Sequence, residues 1–275
     1  MWSWSSGPIW PPKPVPDPAP VVGALPEILL PLAQDPGHSA LCLDFDGTLS
    51  AIVDDPVAAR PWPGVPELLI RLASRFALVA VISGRPADFL HQVLGSPAGV
   101  ELIGLYGLGH VGPDASPWES VIADVVAEAR AEAPAAVYVE PKGFTVTLHW
   151  RHAPDAGPWV LAFAARQEKV RGLRVHPGRL SLELRPPLDV DKGTVVRSLV
   201  GDMRAVAVFG DDLGDLPAFA AAADLATRGV AVARIAVVDA ESALEVADAA
   251  DFAVEGPSGA VALLEQLSRA ATVSD

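Results

Sequence analysis

Short apolar runs alternate along the chain with longer segments that have the apolar spacing of helices. Three such runs predict strands buried on both faces, at 40–43, 77–82 and 205–209, and two more, at 100–106 and 252–254, predict further strands of the core. The segments 26–34, 63–75 and 259–269 predict helices, the second with Val65, Leu68, Leu69 and Leu72 on one face. This alternation predicts an α/β fold built around a parallel sheet.

The middle of the chain has a different pattern. Here helices precede pairs of short strands, and the strand around Thr147 alternates between apolar and polar residues as half-buried strands do. The predicted elements are a helix at 118–132, strands at 137–140 and 144–150, a helix at 158–169, and strands at 173–176 and 180–185. We interpret 112–186 as an αββαββ cap domain, inserted between core segments 25–111 and 187–275.

The first 24 residues differ from the rest in composition. Seven prolines are interspersed with Trp2, Trp4 and Trp10, a density that disfavours both helix and sheet. The segment lacks the basic start and apolar block of a secretory signal. We therefore expect a disordered tail, with ordered structure beginning near Pro26.

Composition limits the possible partners. About half of the residues are apolar, but no uncharged run reaches the roughly 18 residues that a membrane span needs. The net charge of −14 argues against nucleic acid and anionic membranes, which require basic surface. One cysteine, Cys42, excludes an internal disulfide and suits the cytoplasm. These features favour a small-molecule partner and, although oligomeric state is left open, a monomer.

Two carboxylates follow directly on the first predicted strand. Asp44 and Asp46 lie on the same side of an extended chain, because side chains alternate with a period of two residues. At so short a separation the two repel, so that a cation must neutralise them or one must carry a proton. The carboxyl ends of parallel strands are also where open α/β sheets bind ligands.

Polar residues follow two later strands as well. Ser83 and Gly84 could donate to a phosphate, although a serine here could equally cap the next helix. Asp211, Asp212 and Asp215 place three carboxylates within five residues, a ligand set suited to Mg²⁺. Lys192 begins a helix, where a cation opposes the macrodipole; a functional role or an ordinary surface lysine would both fit.

The glycines at 107, 109 and 112 form a G-x-G-x-x-G string that resembles a dinucleotide fingerprint. Such a fingerprint needs a helix that opens within the glycine run. Pro113 and Pro117 postpone the next helix to about residue 117. We interpret these glycines as the hinge where the chain leaves the core.

The string Asp44-Phe45-Asp46-Gly47-Thr48, together with Ser83, Lys192 and the 210–215 cluster, resembles the four motifs of the haloacid-dehalogenase phosphatases. The resemblance implies a HAD-like Rossmannoid core. It implies that Asp44 is the nucleophile and Asp46 the general acid/base. The implied phosphate-binding residues are Thr48, Ser83, Gly84 and Lys192; the implied Mg²⁺ ligands are Asp44, Asp46 (through its carbonyl) and Asp211, supported by Asp212 and Asp215.

The cap strings Glu140-x-Lys142, His149-Trp150-Arg151 and Glu183-x-Arg185-Pro186 resemble those of trehalose-6-phosphate phosphatases. That resemblance implies that Glu140, Lys142 and Glu183 hold the glucose ring remote from the phosphate. His149 and His152 lack a third ligand nearby and are expected at the surface. Gly214 and Leu216 depart from relatives that carry Thr and Glu at these positions.

The expected activity is Mg²⁺-dependent hydrolysis of trehalose 6-phosphate to trehalose and phosphate through an aspartyl-phosphate, in trehalose biosynthesis. One alternative is a phosphatase for another sugar phosphate, such as sucrose phosphate or mannosyl-phosphoglycerate. A second alternative, of another class, is a catalytically silent regulatory or binding module.

Overall fold

A computed structural model describes residues 24–53, 55–178, 180–239 and 243–271. The predicted disordered tail lies outside the described residues, apart from Ala24. Within the described part, no helix is long and apolar enough to cross a membrane.

The elements alternate along the chain much as the sequence predicts. The strands are β1 (Ser39–Leu43), β2 (Leu78–Ile82), β3 (Val100–Ile103), β4 (Tyr138–Pro141), β5 (Val146–His149), β6 (Arg174–Gly178), β7 (Ser181–Arg185), β8 (Ala205–Gly210), β9 (Ala231–Val238) and β10 (Phe252–Glu255). The helices are α1 (Leu30–Gln34), α2 (Val65–Ala73), α3 (Ala87–Leu94), α4 (Pro117–Glu132), α5 (Gly157–Arg171), α6 (Lys192–Val200), α7 (Leu216–Ala226), α8 (Leu244–Ala249) and α9 (Gly256–Ala270).

The larger sheet has six parallel strands in the order β10-β9-β8-β1-β2-β3. Leu41 and Leu43 of β1 pack on one face with α1, α2, α3 and α9, whereas Ala40 and Cys42 pack on the other with α6, α7 and α8. Because both faces are covered, all five residues of β1 are buried. Cys42 is buried, as a small hydrophobe would be.

The smaller sheet is antiparallel, with four strands in the order β4-β5-β7-β6. One face packs its apolar residues, among them Val139, Leu148 and Leu182, against α4 and α5. Pro177 lies within β6, which is an edge strand and can therefore accommodate a proline. Together the two sheets confirm the predicted α/β fold, a HAD-like core with an inserted αββαββ cap.

Several details differ from the prediction. β9 was not identified in the sequence, although it lies inside the core sheet beside β8. The strand predicted at 100–106 ends at Ile103, and Leu105–Gly107 form a 3₁₀ turn instead. After the glycine run, α4 begins at Pro117 as expected.

Candidate active site

The polar residues that follow β1, β2 and β8 meet at one edge of the core sheet. β1 lies between β2 and β8, so Asp44, Ser83 and Asp211 follow three adjacent strands. The backbone N–H of Asp44 donates to the Phe209 carbonyl at 3.0 Å. This bond holds the first motif against β8, the strand that leads into the 210–215 cluster. Residues distant in sequence thus converge because their strands pair in parallel.

Lys192 connects two of these carboxylates. Its ammonium lies 2.5 Å from Asp44 Oδ1 and donates to Asp215 Oδ1 at 2.6 Å. All three side chains are almost completely buried. Asp191 caps α6 by accepting from the Thr194 N–H, and this fixes the first turn from which Lys192 projects. Lys192 is therefore a buried ion-pair partner and not a surface lysine.

Asp44, Asp211 and Asp215 offer carboxylate oxygens that all lie within 4.8 Å of one another. Burial raises the pKa of Asp44 to about 8 although Lys192 lowers it, and burial also raises the pKa values of Asp211 and Asp215. Asp211 Oδ1 is buried and has no hydrogen-bond partner among the described residues. An all-oxygen set with an unsatisfied buried acceptor fits a hard divalent cation such as Mg²⁺.

Glycine is sterically required beside this cluster. A Cβ on Gly47, whose φ is +77°, would lie 1.9 Å from Asp211 Oδ2. A Cβ on Gly210 would lie 2.3 Å from Asp215 Cγ. Both glycines let backbone approach a carboxylate more closely than any side chain permits.

The remaining motif residues occupy different depths. Asp46 is about one-third exposed, and its carboxylate forms an ion pair with Arg85, outside the cluster of Asp44, Asp211 and Asp215.

Ser83 is buried, and its Oγ accepts from the Arg85 N–H. Thr48 is fully buried, and its Oγ1 has no hydrogen-bond partner among the described residues. Asp212 is exposed and caps the turn at Leu213–Asp215. Metal coordination by the Asp46 carbonyl and phosphate binding by Thr48 stay predictions.

The cap sheet turns its polar face toward this cluster. Glu140, Thr147, Glu183 and His176 lie opposite one another across the four strands and so share a face. Lys142 lies between the two glutamates, with its Nζ 3.6 Å from Glu140 and 3.8 Å from Glu183. The cap residues predicted from sequence therefore form one connected group.

Core and cap residues enclose a cavity of about 260 Å³. Its walls include residues of the core motifs and of the cap group. The lining residues are Asp44, Asp46, Ile52, Val53, Ser83, Gly84, Arg85, Tyr106, Glu140, Lys142, His149, Lys192, Asp211 and Asp212. Thr48, Glu183 and Asp215 are not among them; Glu183 reaches the wall through Lys142.

Four residues of this region were not identified as site residues from sequence. His149 was expected at the surface, but it lines the cavity and bonds to Glu140 at 2.8 Å. Arg185 bonds Glu183 and covers the Tyr106 ring, 3.8 Å from its centroid. Tyr106 lines the cavity in a left-handed conformation, φ +57°. Arg85 donates two hydrogen bonds to the Asp46 carboxylate, a contact that the pattern of apolar and polar residues does not indicate.

The core motifs and the cap group both fall within a known family. A sequence model described as Trehalose-phosphatase matches residues 42–256. The chain belongs to the trehalose-phosphatase family. Its haloacid-dehalogenase membership agrees with the four motifs, and the match includes every site residue predicted from sequence.

Curated family members are similar in sequence to this chain over most of its length. The trehalose-phosphate phosphatase of Mycolicibacterium paratuberculosis is 38% identical over 248 residues, which cover 84% of this chain and 62% of the relative. That of Mycobacterium avium is 35% identical over 249 residues, with the same coverage. The chain thus matches about three-fifths of the length of these relatives.

A solved structure shares the fold. The C-terminal domain of Candida albicans trehalose-6-phosphate phosphatase aligns with a TM-score of 0.71 and 22% identity, covering 90% of this chain and 99% of that one. At this identity the likeness concerns the fold.

Proposed function

We propose that the chain hydrolyses trehalose 6-phosphate to trehalose and phosphate through an aspartyl-phosphate on Asp44. The observation that carries this proposal is one cavity in which Asp44, paired with Lys192, faces Glu140 and Lys142 of the cap. A phosphate-reacting edge and a polyol-binding edge in the same space fit a sugar phosphate. The names of the curated relatives support the same substrate.

Chain residues account for each covalent step. The Asp44 carboxylate attacks phosphorus, and the bond from phosphorus to the sugar oxygen breaks as Asp46 gives that oxygen a proton. A water then attacks the acyl phosphate, giving its proton to Asp46, and Asp44 is regenerated with release of phosphate. Lys192 keeps a positive charge beside Asp44, and Ser83 with the Gly84 backbone offers donors to the phosphoryl oxygens.

Mg²⁺ is the cofactor we propose, held by Asp44, Asp211 and the Asp46 carbonyl, with Asp215 and Asp212 nearby. When bound, it neutralises the phosphate charge and the buried carboxylates. The unsatisfied Asp211 oxygen supports this assignment, because a buried carboxylate acceptor without a donor is costly.

The sugar is the cap's part of the proposal. Glu140 and Glu183 supply acceptors and Lys142 a donor, so several hydroxyls can be bound at once. We also propose that the enzyme acts in the cytoplasm, in trehalose biosynthesis, since its single cysteine is a free thiol.

Substrate and cofactor are tested together by phosphate release. With Mg²⁺, kcat/KM for trehalose 6-phosphate should exceed that for sucrose phosphate, mannosyl-phosphoglycerate and glucose 6-phosphate by about tenfold or more. A chelator should abolish release, and added Mg²⁺ should restore it. Preference for another ester would contradict the proposed substrate, chelator-resistant release the cofactor, and no release at all would favour the silent module.

Lys142→Met tests recognition by the cap. Lys142 is the cap residue whose loss disturbs the least, because Glu140 keeps His149 and Glu183 keeps Thr145 and Arg185. Loss of one charged hydrogen bond, about 1.5–3 kcal/mol, should raise KM for trehalose 6-phosphate roughly 10- to 100-fold.

Turnover of 4-nitrophenyl phosphate, which has no sugar hydroxyls, should be unchanged in Lys142→Met. The exposed Lys169→Met serves as a matched control and should alter neither substrate. An equal loss on both esters would contradict a role for Lys142 in sugar recognition.

A further inference from the structure

We propose that Arg85 is a positioning residue that aims the Asp46 carboxylate at the leaving-group oxygen. The inference rests on the proposed function, within which Asp46 is the proton donor. Arg85 follows β2 in the second motif, where the sequence pattern indicated only phosphate contacts for its neighbours Ser83 and Gly84.

The contact is a two-point fork. Arg85 Nε donates to Asp46 Oδ2 at 2.7 Å, and Nη2 donates to Oδ1 at 2.8 Å. A planar guanidinium with two parallel bonds fixes the plane of a carboxylate, which a single bond would leave free to rotate. The Asp46 side chain is about one-third exposed, so its surroundings do not fully enclose it.

Arg85 is itself held on both sides. Its guanidinium lies over the Phe89 ring, 4.8 Å from the centroid, and Phe89 contacts Phe45 edge-on at 6.1 Å. Phe45 is fully buried between Asp44 and Asp46 in the chain. Arg85 therefore contacts the first motif in two ways, directly through Asp46 and indirectly through the Phe89 and Phe45 rings. A displacement of Arg85 would displace Asp46 as well.

The backbone of Arg85 is fixed as well. Its carbonyl accepts from the Leu105 N–H at 2.9 Å, and Leu105 has a φ of +51°. A Cβ on Gly104 would lie 2.6 Å from that carbonyl oxygen, so glycine is needed for the approach. A non-glycine residue held in the left-handed region is strain that the surrounding contacts must support.

The position of the fork matches the place where the leaving group must lie. Arg85 Nη1 is 4.0 Å from Glu140 Oε1, and both residues line the cavity beside Asp46. The sugar oxygen that takes the proton lies between the phosphate, near Asp44, and the cap. Arg85 therefore orients Asp46 at the boundary between the two halves of the substrate.

A leaving-group series tests this role in the full chain with Mg²⁺. Esters that range from 4-nitrophenyl phosphate through phenyl phosphate to glucose 6-phosphate need increasing protonation of the departing oxygen. In Arg85→Gln, kcat/KM should fall about 100-fold for glucose 6-phosphate, as misplaced catalytic groups do, and by less than about threefold for 4-nitrophenyl phosphate. Asp46→Asn gives the limiting pattern, with the same or a steeper dependence on the leaving group.

Arg85→Lys separates geometry from charge. Lysine keeps the positive charge but not the fork, so its loss on glucose 6-phosphate should approach that of Arg85→Gln. Full recovery by lysine would overturn the positioning role, as would an even loss across the series, which phosphate binding or misfolding would produce. A wild type inactive on every ester would instead overturn the proposed function, and with it this inference.

Discussion

Replacement of Asp44 by asparagine is expected to abolish turnover while the fold is retained. Asp44 is the carboxylate in contact with Lys192 at the edge where β1, β2 and β8 end. An amide of the same size cannot attack phosphorus or carry the phosphoryl group. Removal of a covalent nucleophile typically costs about 10⁴-fold or more in kcat, and that is the loss expected for both sugar and aryl phosphates.

Stability should change little in this variant. Burial already opposes ionisation of Asp44, and its pKa is raised to about 8. A neutral amide removes that penalty, and Lys192 keeps its ion pair with Asp215. The midpoint of urea unfolding should therefore stay close to that of the wild type or rise slightly.

A matched control lies at the other end of the same strand. Asp35 precedes β1, bonds to His38 and Arg204, and does not line the cavity. Asp35→Asn should leave kcat unchanged. Acid-quenched wild type incubated with substrate should carry a phosphoryl group on the peptide that contains Asp44, and the asparagine variant should carry none. Residual turnover in that variant within about 100-fold of the wild type would contradict the nucleophile assignment.

The core motifs could be predicted because their geometry follows from local pattern. Asp44, Ser83 and Asp211 each follow an apolar run, and parallel pairing brings the ends of such runs to one edge. The cap group follows from a different rule, the alternation of side chains between the two faces of a sheet. Glu140 and Glu183 alternate with apolar neighbours, so strand pairing alone places them on one face.

The parts that were missed depend on tertiary contacts or on an ambiguous pattern. Arg85 and His149 are charged or polar residues near element ends, and their partners, Asp46 in the core and Glu140 in the cap, lie on neighbouring segments that only the fold brings beside them. β9 (Ala231–Val238) follows the alanine-rich α7 closely, and Arg234 interrupts its apolar residues. A short apolar run of this kind, with a charge near its middle, does not distinguish strand from helix.

Lys192→Met is expected to lose both activity and stability, and its stability loss should depend on pH. Lys192 is the buried cation between Asp44 and Asp215, and Met leaves two buried carboxylates facing each other without it. Breaking such a buried pair typically costs about 3–5 kcal/mol in the free energy of unfolding. Activity should fall about 10³-fold, since the positive charge beside the transferring phosphoryl group is lost.

The direction of the pH dependence follows from the raised pKa values of the carboxyls. Burial raises the pKa of Asp44 to about 8 and raises that of Asp215, in both cases against the lowering effect of Lys192. Without Lys192 both pKa values rise further. The native variant then binds more protons than the unfolded chain above about pH 4, so its free energy of unfolding falls as pH rises.

Urea unfolding with a chelator present, at about pH 5.5 and about pH 8, measures this difference without a divalent cation to neutralise the carboxylates. The deficit of Lys192→Met relative to wild type should be largest at the higher pH and should shrink at the lower. Adding Asp215→Asn should recover part of it, because one of the opposed carboxylates is removed. The exposed Lys169→Met should match the wild type at both pH values. A deficit that stays constant or grows toward acid pH would mean that Lys192 stabilises the fold by packing, and not by balancing the charge of Asp44 and Asp215.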